Sequence, residues 1–286
     1  MKEPFQKDEA FLADVRITAG VADGALRLWW LGQSGFLLQR DGAHLLLDPY
    51  LSDSLTRKYA ATDKPHVRVS ARVVSPERLN FIDVMTSSHN HTDHLDTETI
   101  TAVVNASRGF QAFVAPAANY SVVEERLGGC AAVVLAEDDG LRYPGPDGFE
   151  IEAVPAAHNT IERDEHGRCR YLGYVIRTKG CTVYHSGDTL WYDGMVGRLA
   201  AMKIDVALLP INGDRPDRRV AGNLNGREAA RLAKEIGARV VIPCHYDMFE
   251  FNTADPYAEF VPECERIGQR YRVLRLGERW SSDELG

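Results

Sequence analysis

A short apolar run at 81–86 breaks off into Ser87-Ser88-His89-Asn90-His91-Thr92-Asp93-His94-Leu95-Asp96, and a helix-like stretch follows at 97–104. This junction constrains the chain more than any other stretch. Three imidazoles and a carboxylate fall within six positions where a strand ends and a helix begins, with Asp96 or Thr97 placed to cap the helix. Neutral imidazole and carboxylate are the donors that a borderline divalent cation such as zinc or manganese takes. His89 and His91, two apart in extended chain, point the same way and can share one metal. Asp93 and His94 have turned in a different direction and can serve a second. A solvated polar loop has a similar composition, but four donors directly after a buried-type strand argue against it. The junction reads as a metal site.

At 286 residues, with 44% hydrophobic and 26% charged residues, the chain has the make-up of a soluble globular protein with room for one large domain or two ordinary ones. The net charge of -8, with no long Lys/Arg run to offset it, argues against long nucleic acids as partners. A small anionic substrate stays compatible if a few arginines gather locally. The N-terminal residues have no apolar core of a leader, and no window approaches the roughly 18 apolar residues of a membrane span. Cys130, Cys169, Cys181, Cys244 and Cys264 are odd in number and include no Cys-x-x-Cys pair. A reduced, cytoplasmic enzyme is the expectation.

Taken in order, residues 1–24 are polar and read as a helix or arm. Residues 26–39 form a hairpin about Gly32-Gln33-Ser34-Gly35. A buried strand follows and ends on Asp48, before Pro49, where an aspartate often caps a turn. Residues 51–76, with Arg57, Lys58, Lys64, Arg68 and Arg72, read as a flap or insertion beside the site, or equally as a solvated loop. Helices are expected at 97–106, 117–127, 192–202, 225–237 and 255–269. Strands are expected at 110–115, 131–135, 149–155, 171–178, 181–184, 204–210, 239–243 and 271–276, with a turn at 143–148 and a hairpin tip at 162–170. His158, Asp188 and His245 each fall just after one of these strands. Gly187 before Asp188 lets backbone and carboxylate approach another group closely. The alternation of strand and helix, without repeats or linkers, points to an α/β protein with 1–286 as one integrated domain.

The His-x-His-x-Asp-His string and the later Ser186-Gly187-Asp188-Thr189 resemble the metallo-β-lactamase superfamily. The resemblance implies a four-layer αββα sandwich with a two-metal site at one edge of the packed sheets. It implies that His89, His91 and His158 bind one metal, Asp93, His94 and His245 the other, and that Asp188 bridges them. His158 enters on this match rather than on its local chemistry. Asp48 would buttress the histidine loop from behind, and His185 is expected to turn away. Two such cations, manganese or zinc, make a hydroxide from shared water near neutral pH, with Asp93 and Asp188 placed to take or return a proton. The implied reaction is hydrolysis.

A narrower resemblance, carried by residues 211–214, 222–225, 242–249, Asn252-Thr253, 29–35 and Asp48-Pro49, is to the L-ascorbate-6-phosphate lactonase family. That family is cytoplasmic and oligomeric, with a manganese-dependent best-known member, and it implies opening of a phosphorylated sugar-acid lactone and a homo-oligomer here. Arg215, Arg218 and Arg219 form a candidate phosphate clamp, because guanidinium forks bind phosphate bidentately. The alternative is a salt-bridged loop with Asp214 and Asp217. Asn212, Asn223 and Tyr246 are candidates to bond a sugar hydroxyl or the developing oxyanion. Competing readings are a phosphodiesterase acting on small cyclic nucleotides and a metal-binding protein without catalysis. The complete donor set speaks against the last.

Overall fold

Most strand-forming runs of this chain lack polar alternation, so the strands they form need cover on both faces. In the computed structural model, which describes residues 1–146 and 148–286, they receive it. Asp147, inside the expected turn, lies outside the described residues. β1 (Arg27–Gly32), β2 (Gly35–Arg40) and β3 (Ala43–Leu47) make an antiparallel meander of buried residues. β4 (Val84–Thr86), β5 (Ala112–Pro116) and β6 (Val133–Ala136) extend it in parallel. In the second sheet β7 (Arg142–Pro144), β8 (Glu150–Pro155), β9 (Leu172–Thr178) and β10 (Cys181–His185) pair antiparallel. β11 (Val206–Pro210) and β12 (Val240–Cys244) continue from β10 in parallel, and β13 (Arg279–Ser281) returns to pair with β1.

The helices are α1 (Asp8–Ala19), α2 (Ser54–Tyr59), α3 (Thr97–Ala106), α4 (Tyr120–Leu127), α5 (Met195–Ala200), α6 (Gly226–Glu235) and α7 (Phe260–Ile267). α4 packs on β5 and α3, whereas α6 packs on β11, β12 and α7. The two sheets face each other: the Tyr174 hydroxyl donates to Ser87 O at 2.8 Å, and Phe36 meets the His185 ring edge-on at 6.0 Å. One hydrophobic cluster draws residues from both sheets and their helices. This is the expected four-layer αββα sandwich. No described helix is long and apolar enough to cross a membrane.

Of the two readings of the N-terminal segment the helix holds: α1 buries Phe11, Leu12 and Val15, and Asp14 accepts from Trp29 Nε1 at 2.8 Å. One expectation needs correction. The run at 271–276 is not a strand. Tyr271 makes an isolated bridge to Val241, and the chain then leaves the second sheet for the first, where Gly277 N donates to Trp30 O at 2.7 Å. Arg272 and Arg275 pair with Glu278 on the way, and the strand forms beyond them as β13.

β8 is antiparallel to β9 and β9 to β10, while β12 runs with β10. The C-terminal ends of β8, β10 and β12 therefore share one edge, where ligands of open α/β sheets gather.

Away from that edge, His44 on β3 is buried, and burial pushes its imidazole down to about 4. Its Nε2 lies 3.0 Å from Gln39 Nε2, which can donate only to an unprotonated ring. The unfolded chain, with its histidine near 6.5, thus binds more protons between these values than the folded one. This contribution is full above the unfolded value and is lost as pH falls towards the folded one, on the order of 3 kcal/mol for a gap of this size. His44→Leu protein should lose less stability than wild type between pH 7 and pH 4.5 in urea unfolding; parallel losses would refute the assignment.

Candidate metal centre

The loop after β4 is fixed at both ends before it carries any chemistry. Asp96 caps α3, its carboxylate accepting from Thr99 N at 3.2 Å. Arg126 of α4 donates to Asn90 O at 2.8 Å and Leu95 O at 3.0 Å. Asp48, fully buried at the end of β3, accepts from Ser88 N at 2.9 Å and Ser88 Oγ at 2.5 Å, and meets His94 Nδ1 at 2.6 Å. Ser88 Oγ in turn lies 3.0 Å from His89 Nδ1. On the opposite sheet Gly187 has a left-handed φ of 58°, and a Cβ there would stand 2.5 Å from that of Ser88. Only glycine lets the loop after β10 come this close.

These constraints bring seven side chains together. Donor atoms of His89, His91 and His158, of His89, His94 and Asp188, and of Asp93, His94 and His245 each lie within 4.8 Å of one another. Asp188 Oδ2 stands 3.5 Å from His158 Nε2, 3.4 Å from His94 Nε2 and 3.4 Å from His245 Nε2. Asp93 Oδ2 is 3.7 Å from His94 Nε2 and 3.8 Å from His245 Nε2. These separations are too long for hydrogen bonds and suit donors arranged around a shared cation. His158 Nδ1 bonds Gly222 O at 2.9 Å, which leaves Nε2 to the cluster. The Nε2 atoms of His89 and His94 are buried without a partner. The residues present fit a metal.

The electrostatics agree. Burial and the neighbouring His94, His91 and His158 hold the His89 imidazole well below its ordinary value. Burial opposes charge on His94 and on Asp188 alike, but attraction between opposite charges prevails. Asp188 and then Asp93 raise the His94 imidazole well above its usual range, and His245 and then His94 lower the Asp188 carboxyl well below its own. Ionised carboxylates in so buried a place demand positive charge between them.

The β-lactamase superfamily domain model matches residues 44–246, which contain every donor of the cluster. The chain belongs to the metallo-β-lactamase superfamily. Among its relatives there, a metal-dependent hydrolase of Hyperthermus butylicus is 31% identical over 254 residues, covering 87% of this chain and 96% of the relative. "Probable L-ascorbate-6-phosphate lactonase UlaG" of Escherichia coli is 26% identical over 270 residues, covering 82% of this chain and 73% of that protein. A metallo hydrolase of Ignicoccus hospitalis shares the fold with a TM-score of 0.65, at 24% identity over 90% of this chain and 98% of its own. Family membership makes the chain a metal-dependent hydrolase.

Around this superfamily centre a pocket of about 760 Å³ opens, with His91, Asp93, His158, Asp188 and His245 at its base. The segment at 51–76 does lie beside the site, supplying Lys58, Tyr59, Lys64 and His66 to the wall. Its Arg57 instead ties it to Glu98 of α3, and Arg68 and Arg72 brace it internally, to Asp53 and Leu51 O. Three expected substrate contacts fall elsewhere. Arg215 is outside the pocket, exposed and paired with Asp217 at 3.3 Å, as a salt-bridged loop would be. Tyr246 is a core residue, stacked on Trp30 at 4.2 Å, its hydroxyl bonded to Leu274 O at 2.6 Å. Asn212 braces Asn252 and Asn223 from behind. Arg218 and Asn223 do reach the wall, although Arg218 is committed to Asn212 O, Asn252 and Thr253 O. His185 turns to Ser34 O at 2.8 Å, away from the cluster.

Sequence reasoning passed over Gln33, His66 and Arg126 as site residues, because they carry no ligand-like spacing. The dependence on Asp48 is testable: Asp48→Asn should cost about ten- to hundredfold in metal affinity, read as cation retained on dialysis against a chelator. Retention equal to wild type would remove Asp48 from the centre.

Proposed function

We propose that this centre takes two divalent cations, manganese or zinc, and that the chain opens the ring ester of a small sugar-acid lactone, preferentially a phosphorylated one. The observation that carries the reading is the donor cluster at the base of a pocket of small-molecule size whose wall bears Lys58 and Lys64. The likeness to a protein named as a lactonase supports it. When bound, the cations supply hydroxide near neutral pH and polarise the carbonyl.

The chain's own residues divide the remaining work. His89, His91 and His158 would hold one cation and Asp93, His94 and His245 the other, with Asp188 between. Asp93, the more exposed of the two carboxylates, is placed to receive the proton of the attacking water and return it to the ring oxygen as the ester opens. The Tyr59 and His66 rings, stacked at 4.3 Å, with Phe251 edge-on to His66 at 4.8 Å, offer a flat face to a sugar ring. Asn223 Oδ1 has no partner and can accept from a hydroxyl. Lys58 has no carboxylate partner among the described residues and is the first candidate for the phosphate contact, with Lys64, which donates to Asp217 O at 2.6 Å, and Arg219, paired with Asp63, beside it in the wall. The five unpaired cysteines support the expected reducing, cytoplasmic setting.

Protein reconstituted with manganese or zinc should hydrolyse a sugar-acid phosphate lactone faster than a cyclic nucleotide, and His91→Ala protein should do neither. Faster turnover of the cyclic nucleotide would transfer the function to phosphodiesters. Replacing Lys58 and Lys64 together by Ala should raise KM about tenfold for the phosphorylated lactone and leave a neutral lactone unaffected. Equal shifts for both substrates would sink the phosphate assignment.

A further inference from the structure

Gln33 sits in the turn between β1 and β2, where nothing in the donor motifs calls for a polar side chain. It is 1% exposed and holds a left-handed φ of 51°, costly for a residue with a Cβ. Its backbone carbonyl accepts from Trp30 Nε1 at 3.0 Å and from His245 N at 2.9 Å, so the residue is pinned to the strand end that carries a metal donor. Its amide nitrogen stands 2.9 Å from Asp93 Oδ2 and 3.1 Å from His245 Nε2, while its Oε1 is buried with no partner.

Those two distances match the spacing of neighbouring donors around one cation. With bonds of about 2.1 Å at right angles, adjacent ligand atoms lie about 3 Å apart. His245 Nε2 cannot give one lone pair both to a cation and to an amide N–H. A half-turn of the amide about its last bond removes this conflict. It puts Oε1 where the nitrogen stands, beside Asp93 and His245, where a cation between the three would be its partner, and it hands the unpartnered position to the amide nitrogen.

We propose that Gln33 Oε1 is a further ligand of the cation held by Asp93, His94 and His245. This rests on the reading that the centre binds two cations. With Asp188 the position then has three oxygens and two imidazoles, a set that suits a six-coordinate cation such as manganese better than four-coordinate zinc.

The test is a manganese titration of metal-free protein in chelator-buffered solution, counting bound cations and following the spin coupling of a manganese pair by electron paramagnetic resonance. Wild type should bind two cations. Gln33→Ala should weaken the second by about tenfold or more, given what lost supporting contacts alone cost, and leave the first unchanged. Gln33→Glu supplies an oxygen but no N–H, so it should restore or tighten the second cation. Two outcomes overturn the inference alone: Gln33→Ala binding both cations like wild type, or Gln33→Glu as weak as Gln33→Ala, which would make the amide only a hydrogen-bond donor to Asp93. Wild type that binds no manganese pair would overturn the two-cation reading itself, and the inference with it.

Discussion

The centre depends on one carboxylate that water does not reach. Asp48 is fully buried, and an ion in that position costs several kcal/mol unless every lone pair is engaged. It is engaged by Ser88 N, Ser88 Oγ and His94 Nδ1. The parallel pairing of Leu47 with Thr86 delivers Asp48 beside Ser88, so the register of β3 on β4 decides whether these bonds form. Ser88 then touches three partners at once: Asp48, the His89 ring, and the space that Gly187 leaves open. A side chain at the end of a first-sheet strand thereby sets the distance to the loop that carries Asp188 on the second sheet.

The chain gives up local backbone comfort to achieve this. Gln33, Asp48 and His245 all hold left-handed φ angles without being glycine, and each lies at the cluster or directly behind it. Such residues cost about 1 kcal/mol or more apiece and persist where the surroundings over-determine them. Other such residues lie elsewhere, Asp8, Asp41 and Lys203 among them, but here the surroundings are specific: Gln33 O binds His245 N, which couples two of the strained positions at the site. Strain concentrated at the edge where the donors meet is what a preorganised cation site requires, because ligands that had to rearrange on binding would give back part of the affinity.

His89, His91, Asp93 and His94 were legible in the sequence because four donors crowd the end of one apolar run, whereas His158, alone after its strand, was found only through the family resemblance. The α/β class was legible from the alternation of strand and helix, whereas the four-layer αββα arrangement came from the family resemblance carried by the His-x-His-x-Asp-His and Ser-Gly-Asp-Thr strings. Side-chain direction in irregular segments was not legible. Tyr246 directly follows a donor, yet His245 takes a left-handed turn and sends the next ring into the core against Trp30. Arg215 and Lys58 are both cations in polar stretches, and nothing in their neighbours' identities says that one faces solvent and the other the pocket. The run at 271–276 alternates like a strand because it crosses between two buried edges, although it ladders along neither.

This division has a consequence for substrate choice. The donors are anchored to strands, whereas the wall comes from 55–66, 218–223 and 251–252, segments that can change without moving a ligand atom. The two wall arginines with half-buried heads are bonded to neutral oxygens, Arg126 to Asn90 O and Leu95 O, Arg218 to Asn212 O and Thr253 O. A guanidinium held by carbonyls keeps its charge but loses its freedom to reach for a ligand. Fixed positive potential therefore comes from these arginines, whereas Lys58, with no carboxylate partner among the described residues, keeps the freedom of its stem. Selectivity among small substrates then turns on where the lysine-bearing segment stands, and the donor cluster beneath it can stay the same.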